Sequence, residues 1–485
     1  MWDSNVYRLE THKLSLRTAL IPVIFLIILL TCNITIYGDD LLMGSNQIIL
    51  LIAAAFAGLL GFRNKISYKL MLQKIIENLV SVKTPILILL FVGALAGTWL
   101  ISGIIPAMIF YGIQIANPSF FLPACVLICT LISLATGSSW STSATVGIAL
   151  IGIGRALGLP AGMIAGAVIS GAYFGDKLSP LSDTTNLAAA MAGSELFTHI
   201  RYMLYTTLPT ITITLFIFVM FGLTFSYSGE IDTSSLKNAI AEKFNINAWL
   251  FLVPVLLLIM IIKKTPPLIA LSLGSLLGAF FALIFQPNLL VQLAGGQTLN
   301  FKVAFQSIID AITIETNVAT SEQLLSELFT SGGMQGMLGT IWLIICAMVF
   351  GGIMDAIGAL ETISNAFLNW AKSKFQLFAG TVASCLTVNL SASDQYLAIV
   401  IPGKMFNMAY KDKKLAPENL SRTLEDSGTV TSVLIPWNTC GAYQSSVLGV
   451  NVADYFLYAI FNWLSPLMTL IITYFKIKIK SLIKV

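Results

Sequence analysis

The polar residues with the clearest chemical potential lie at positions 170–190, in the run SGAYFGDKLSPLSDTTNLAAA. Two carboxylates, Asp176 and Asp183, stand on either side of Pro180. The oxygen donors beside them are Ser182, Thr184 and Asn186. Charges and free backbone groups are costly in lipid, so this cluster is tolerated where an interrupted helix lines a cavity. Such oxygens suit a hard cation such as Na⁺. The run predicts a cation or proton site; for Asp176, pairing with Lys177 is the alternative.

Three other polar interruptions of apolar sequence hold neutral candidate ligands. The interruptions are Thr136–Ala144, Thr387–Gln395 and Leu424–Gly441. Their candidates are Ser138, Ser139, Asn389, Ser391, Thr429, Thr431 and Asn438. The alternative role of these side chains is close packing between helices.

Four further acids lie in or beside apolar sequence. Asp394 follows a polar tip and can bind a cation, cap the next helix, or do both. Asp355 is a lone acid in an apolar run, where function is the default hypothesis. A position near the cytoplasmic end of its helix would instead leave it hydrated. Glu425 and Asp426 are expected to belong to a loop, with a role in the site as the alternative.

The composition is that of a membrane protein. Of 485 residues, 56% are hydrophobic and 10% are charged, whereas a soluble domain carries about 25% charged residues. The mean hydropathy is +0.86, and apolar runs of about 20 residues recur, as spanning helices require. The class predicted is an all-α polytopic membrane protein. Because the basic residues lie in short loops, they indicate topology and not a nucleic-acid surface.

Enzymatic chemistry has little support in the sequence. The six cysteines lie in apolar runs and are expected to be small buried side chains. The two histidines, His12 and His199, are expected in interfacial loops. There is no phosphate-binding loop ending in Gly-Lys-Ser/Thr, so ATP is not expected to drive the protein. We predict a protein that is not an enzyme and has no cofactor.

The apolar runs predict ten full spans and two re-entrant hairpins. The hairpins are Ser119–Gly154 and Phe375–Ala409, because lysines flank the second one on both sides and cytoplasmic loops collect Lys and Arg. The spans are Leu16–Tyr37, Ser45–Phe62, Thr84–Gln114, Pro160–Ala192, Arg201–Phe225, Ala248–Ile262, Leu268–Phe285, Gly333–Trp370, Pro417–Leu448 and Ala453–Tyr474. The same rule predicts cytoplasmic N- and C-termini.

The two halves, 1–247 and 248–485, contain the same order of elements. Each has two spans, a long glycine-rich span, a hairpin, an interrupted span and a closing span. Ser170-Gly171 and Ser427-Gly428 align at one displacement, while Thr136 and Thr387 align at a shorter one that an insertion would explain. The first copy starts inside and the second outside. We therefore predict an inverted-topology repeat with broken helices and a site at the repeat interface.

Two of these motifs resemble a known family. GDKLSPLSDTTNLA, from Gly175 to Ala188, and LEDSGTVTSVLIPWNTCG, from Leu424 to Gly441, are similar to the strong stretches of NhaC-type Na⁺/H⁺ antiporters. TGSSWSTSATVGIALIGIG, which follows Ala135, also resembles the sequences of this family. The resemblance implies secondary transport and paired hairpins with broken helices, often in a homodimer. The resemblance supports a role in the site for Asp176, Asp183, Thr184, Asn186, Thr429, Thr431 and Asn438. Asp355 and Asp394 are candidates because of where they lie in the sequence, not because of the resemblance.

The function expected is Na⁺/H⁺ antiport in the cell membrane, with lipid and small cations as partners and no nucleic acid. Cation and proton would compete for the same carboxylates, Asp183 first. The alternative is a Na⁺- or H⁺-coupled exchanger of a small organic substrate, such as malate and lactate or an amine, in which Lys177 would matter as an anion partner.

Overall fold

The computed structural model describes residues 14–37, 44–224 and 233–482. The predictions for His12 and for the location of the two chain ends therefore fall outside the described residues. The all-α polytopic class is confirmed: within those ranges nearly all regular structure is helical, with a single two-stranded sheet.

The described residues up to Thr224 form eleven α-helices. They are α1 (Leu16–Tyr37), α2 (Ser45–Arg63), α3 (Tyr68–Ser81), α4 (Lys83–Ile101), α5 (Ile104–Ile115), α6 (Pro118–Thr136), α7 (Ser139–Thr142), α8 (Ile148–Ala156), α9 (Ala161–Leu178), α10 (Asp183–Ala192) and α11 (Leu196–Thr224). A π-helical turn, Ser143–Gly147, joins α7 to α8.

The first half closes with α12 (Thr233–Lys243), and the second half follows. The first elements of the second half are a 3₁₀ turn (Ala248–Phe251), α13 (Leu252–Ile262), α14 (Pro267–Phe285), α15 (Pro287–Leu293), α16 (Phe301–Thr313), β1 (Thr316–Asn317), α17 (Gln323–Leu328), β2 (Thr330–Ser331) and α18 (Gly333–Gly336). Strands β1 and β2 pair in antiparallel fashion.

The remaining elements contain the second set of polar interruptions. They are α19 (Leu338–Ala356), α20 (Ala359–Trp370), α21 (Lys374–Ala392), α22 (Gln395–Asp412), α23 (Pro417–Leu424), a π-helical turn (Glu425–Thr429), a 3₁₀ turn (Ser432–Leu434), α24 (Thr439–Leu448), α25 (Val452–Tyr455) and α26 (Ile460–Tyr474).

Eight helices among the described residues are long and apolar enough to cross a membrane, or up to nine if the bent pair 234–262 is one span. They include the first arms of both predicted hairpins, α6 and α21. The predicted spans Pro160–Ala192 and Pro417–Leu448 are not among them, because breaks divide each into shorter helices. The predicted spans Ala248–Ile262 and Ala453–Tyr474 are also absent from this set, because their main helices, α13 and α26, have 11 and 15 residues. The eight helices therefore include six of the ten predicted spans together with the two hairpin arms.

Both predicted hairpins turn at a residue with left-handed backbone. Gly137 has φ 67° between α6 and α7, and Ser393 has φ 60° between α21 and α22. The residue that follows each turn caps the second arm: Ser138 accepts a hydrogen bond from the Ser141 amide, and Asp394 accepts one from the Leu397 amide. Helices α21 and α22 then pack against each other.

The helix breaks of the first half and their equivalents in the second half are separated by the same number of residues. The paired positions are Gly137 and Ser393 at the turns, Ser182 and Asn438 at helix N-caps, and Gly193 and Gly449 at left-handed helix ends. This spacing is one residue shorter than that of Ser170 and Ser427. From sequence, Thr136 pairs with Thr387, and an insertion would explain their shorter separation. That insertion is wrong, because the hairpin turns at Gly137 and Ser393 have the same separation as the other paired breaks.

Close packing of α6 against α9 fixes the first interrupted span. A Cβ atom on Gly171 would collide with the Val126 carbonyl, and one on Gly175 with the Thr130 carbonyl. Glycine therefore lets the two backbones approach, as in other membrane helix pairs. The basic loop expected after α2 instead holds α3, which packs on α19.

Candidate functional site

The first helix break lies between the end of α9 at Leu178 and the start of α10 at Asp183. Ser182 caps α10 by accepting a hydrogen bond from the Thr185 amide. The Asn186 side chain donates to the carbonyls of Pro180 at 3.0 Å and Ser182 at 2.6 Å. A broken helix leaves carbonyls without partners. Asn186 satisfies that of Pro180, and its side chain makes a second bond to the Ser182 carbonyl, which already accepts the Asn186 backbone amide. Its position therefore explains how the break is held.

Asp176 lies in the last turn of α9 and is buried. Its Oδ2 accepts hydrogen bonds from the Ser139 amide at 3.0 Å and the Ser139 hydroxyl at 2.8 Å. Its Oδ1 is buried without a hydrogen-bond partner among the described residues. The alternative pairing with Lys177 is wrong, because Lys177 forms an ion pair with Asp426. One oxygen of Asp176 is thus available to a cation or a proton.

Asp183 joins the first break to the second hairpin. Its Oδ2 accepts a hydrogen bond of 2.5 Å from the hydroxyl of Tyr396, which lies in the first turn of α22. Its Oδ1 accepts a hydrogen bond of 2.9 Å from the Thr184 amide, and the Thr184 hydroxyl contacts that of Ser182 at 3.1 Å. Asp183 is otherwise exposed, so solvent and small ions can reach it.

A cavity of about 550 Å³ brings these groups together. Asp176 and Asp183 line it from the first break. The tips of both hairpins contribute as well, through Gly137, Ser138, Gln395 and Tyr396. Trp140 and the ends of helices α3, α4, α13 and α14 complete the walls, with Ser81, Thr84, Ile261 and Lys264. The cavity therefore joins carboxylates, hydroxyls and solvent access in one place.

Three neutral candidates of the second half, Asn389, Thr431 and Asn438, form a separate buried network, and the Thr429 hydroxyl is buried without a hydrogen-bond partner among the described residues. The Asn389 side-chain amide donates to the Gly428 carbonyl at 2.7 Å and the Thr431 hydroxyl at 3.1 Å. Asn438 donates to the backbone and side-chain oxygens of Asn389, both at 3.2 Å. The Ser391 hydroxyl donates to the Thr387 carbonyl. Asn389 and Asn438 thus hold the second helix break, between α23 and α24, to the hairpin, whereas the Ser391 bond lies within α21. None of these side chains lines the 550 Å³ cavity.

Two acidic candidates lie outside that cavity. Asp394 is 3% exposed and caps α22 through the Leu397 amide at 3.0 Å, although its neighbours Gln395 and Tyr396 line the cavity. Asp355 forms a 3.1 Å ion pair with Lys74 of α3. Asp355 is thus a lone acid only along its own apolar run, because α3 brings Lys74 against α19.

Sequence reasoning missed one contributor to the cavity and misplaced two acids. Tyr396 carried no signal beyond its closeness to Asp394. Glu425 and Asp426 were expected in a loop, but both are fully buried in the π-helical turn after α23. Asp426 accepts hydrogen bonds from Ser465 and Thr469 as well as pairing with Lys177. Lys177 could have indicated the burial of Asp426, because a lysine in an apolar run requires a buried acid as its partner.

The comparisons with known proteins agree along most of the chain. Residues 171–477 match the model of the Na⁺/H⁺ antiporter family. The chain is 37% identical to the Na⁺/H⁺ antiporter NhaC of Alkalihalophilus pseudofirmus over 425 residues, which are 88% of each chain. It is 36% identical to the malate-2H⁺/Na⁺-lactate antiporter of Bacillus subtilis over 86% of each chain. Identity to NhaC of Bacillus subtilis is 33%, over 94% of this chain and 96% of the relative.

Family membership rests on both kinds of match. The family model covers more than half of the sequence, and the relatives align along most of their own lengths. The apolar helices agree with a multi-pass membrane protein. The chain therefore belongs to the Na⁺/H⁺ antiporter family.

Proposed function

We propose that this protein is a secondary active transporter that exchanges Na⁺ for H⁺ by alternating access. The observation that carries the proposal is the cavity in which two carboxylates of one helix break, Asp176 and Asp183, meet the tips of both hairpins. Oxygen ligands at interrupted helices are suited to binding small cations near the middle of a membrane. NhaC relatives at 33–37% identity support the same exchange.

Competition for the two carboxylates would couple the ions. Asp183 is open to the cavity, and Asp176 has an unpartnered Oδ1. A Na⁺ ion requires these oxygens in their anionic form, and a proton on either one removes that charge. Ser138, which also lines the cavity, supplies a neutral oxygen. Because the same groups cannot hold both ions at once, each conformational cycle would exchange one for the other.

The cavity supports an inward-open state in this proposal. Its wall contains Ser81, Thr84 and Lys264, which lie close to Lys83 and Lys263 at the ends of helices. Lysines near helix ends collect on the cytoplasmic side of a membrane. The reverse state would require the tips of the hairpins to separate from the first break. The bond between Asp183 and Tyr396 crosses the boundary that would have to move.

The wider setting follows from the same proposal. We place the protein in the cell membrane, with both termini cytoplasmic, with the halves 1–247 and 248–485 as inverted repeats, and as a homodimer. Its partners would be membrane lipid and small cations, not nucleic acid. Na⁺ and H⁺ would be transported ions, so the mechanism needs no cofactor and makes no covalent change to a substrate.

A second candidate function is exchange of a small organic acid coupled to Na⁺ or H⁺. The cavity of about 550 Å³ is far larger than a Na⁺ ion needs, and Lys264 in its wall offers a positive charge. The related malate-2H⁺/Na⁺-lactate antiporter favours the same reading. In this alternative, the carboxylates would bind the coupling ion and the organic anion would occupy the outer part of the cavity.

One assay separates these candidates. Purified protein in proteoliposomes with an imposed pH gradient would receive Na⁺, K⁺, malate or lactate in turn, while an internal dye reports pH. Na⁺ alone should dissipate the gradient if the first proposal holds. A response only to organic acid would contradict it and support the second. Empty liposomes and liposomes with the Asp183→Asn variant provide the controls.

A further inference from the structure

The carboxyl group of Glu425 is buried in an unusual setting. Glu425 begins the π-helical turn Glu425–Thr429, is fully buried, and has no hydrogen-bond partner for either carboxyl oxygen among the described residues. Its neighbour Asp426 has three partners: Lys177, Ser465 and Thr469. A π-helical turn inside a helix is frequently found at a functional site. The contrast between adjacent acids therefore needs a physical reason.

The charges around Glu425 leave it without a partner of its own. Lys177 is within electrostatic reach, but its ion pair is with Asp426. Arg422 is buried one turn earlier and stacks on Tyr202 at 4.6 Å, without an ion pair to Glu425. Ionised carboxylates are not kept in a low-dielectric interior without donors or counter-ions; they take up a proton instead. Glu425 is thus expected to be neutral in this conformation.

Glu425 also lies within electrostatic reach of Asp176. Asp176 lines the cavity and has a buried, unpartnered Oδ1. A cation bound there would add positive charge close to the Glu425 proton. Like charges repel most strongly where water is excluded, so the cation would favour release of that proton. Asp176 precedes Lys177 in the last turn of α9, and Lys177 pairs with Asp426, the neighbour of Glu425.

We propose that Glu425 is a proton-binding site separate from the cation site, and that it releases its proton when Na⁺ binds beside Asp176. This inference rests on the proposed Na⁺/H⁺ exchange and deepens it. The proton leaves the Glu425 carboxyl for water in the cavity, and leaves a carboxylate that the nearby Na⁺ stabilises. Because this proton is additional to any displaced from the cavity carboxylates, exchange would move net charge.

Other titratable or charged groups share the surroundings of Glu425. They lie on α9, α11, α21, α22 and α23, and they are Asp176, Lys177, His199, Cys385, Tyr410, Arg422 and Asp426. Lys177 and Asp426 are engaged with each other, and Tyr410 contacts the Thr381 hydroxyl. Among these groups, Glu425 is the carboxyl with both oxygens unpartnered.

The test is proton release on addition of NaCl to detergent-purified protein in weak buffer, with a pH-indicating dye and choline chloride as the ionic-strength control. Glu425→Gln should release about one proton fewer per protein than the wild type. It should also keep a melting temperature close to the wild type, because an amide replaces a neutral carboxyl of the same shape. Glu361→Gln, at an exposed position on α20, is the matched control and should release as many protons as the wild type.

Each other result contradicts the inference. Equal release from Glu425→Gln and wild type would show that Glu425 carries no exchangeable proton. Loss of the fold in Glu425→Gln would show that the charged form is required, which also overturns the inference. Absence of Na⁺-dependent proton release from the wild type would instead contradict the proposed Na⁺/H⁺ exchange. Asp426→Asn provides a contrast, because it leaves Lys177 buried and unpaired and should lower the melting temperature.

Discussion

The two helix breaks have the same backbone arrangement but differ in the chemistry of their side chains. Ser182 caps α10 at the first break, and Asn438 caps α24 at the corresponding position of the second. The first break presents Asp176 and Asp183 to the 550 Å³ cavity. The second places Asn438 in a closed network with Asn389. Backbone repetition alone therefore does not make a cation site; carboxylates that line a cavity distinguish the first break from the second.

The largest effect is expected from Asp176→Asn. The amide would keep the shape of the side chain and one contact with Ser139 but remove the anionic oxygen left free for a cation. Na⁺-driven dissipation of a pH gradient should fall to the level of empty liposomes. Ser139→Ala removes one of two hydrogen bonds to Asp176 and should reduce exchange without abolishing it. Normal exchange by Asp176→Asn would exclude this carboxylate from the site.

A change at the second break should affect stability more than transport. Asn438→Ala removes the N-cap of α24 and the hydrogen bonds to Asn389. A lost buried hydrogen bond costs about 1–3 kcal/mol when its partner is left unsatisfied. The melting temperature in detergent should therefore fall, while the protein that remains folded keeps its apparent Na⁺ affinity. A large loss of Na⁺ affinity with an unchanged melting temperature would place Asn438 in the cation site instead.

A smaller effect is expected at the contact between the halves. Tyr396→Phe removes the hydroxyl that donates to Asp183. Because Asp183 is exposed, water replaces much of that bond, and a loss near 1 kcal/mol corresponds to roughly a fivefold weaker apparent Na⁺ affinity. Transport assayed over a series of Na⁺ concentrations measures this change. An affinity equal to that of the wild type would show that the bond does not influence cation binding.

The smallest effect is expected from Asp355→Asn. The pair between Asp355 and Lys74 is partly exposed, and such pairs contribute about 0–1 kcal/mol. Exchange rates and apparent Na⁺ affinity should match those of the wild type in proteoliposomes. Loss of exchange in a folded Asp355→Asn variant would mean that the ion path includes the interface of α3 and α19.

Much of this arrangement could be predicted from the sequence. Apolar runs indicated the helical membrane class, and Pro180 between Asp176 and Asp183 indicated the first break. The roles of polar residues were harder to predict, because a side chain that binds an ion and one that satisfies a broken helix have the same composition. Asn186 illustrates this point, since its amide donates to carbonyls within the break.

Tertiary contacts account for what the sequence could not predict. Asp355 gains Lys74 only because α3 folds back on α19. Lys177 and Asp426 lie far apart in the chain and meet only in the folded protein. Glu425 looked like a loop residue because charged sequence around it, from Glu418 to Asp426, resembles a solvated segment, yet these residues are buried. Such pairings depend on helix packing, which local patterns do not specify.

The most direct measurement is Na⁺/H⁺ exchange by Asp183→Asn and Asp183→Glu in proteoliposomes, with protein yield and elution profile matched to the wild type. Asp183 is the exposed carboxylate of the first break and contacts the second hairpin through Tyr396. We expect no Na⁺-dependent dissipation of the pH gradient by Asp183→Asn, and measurable exchange by Asp183→Glu. Exchange by folded Asp183→Asn at the wild-type rate would contradict the assignment of ion exchange to this break.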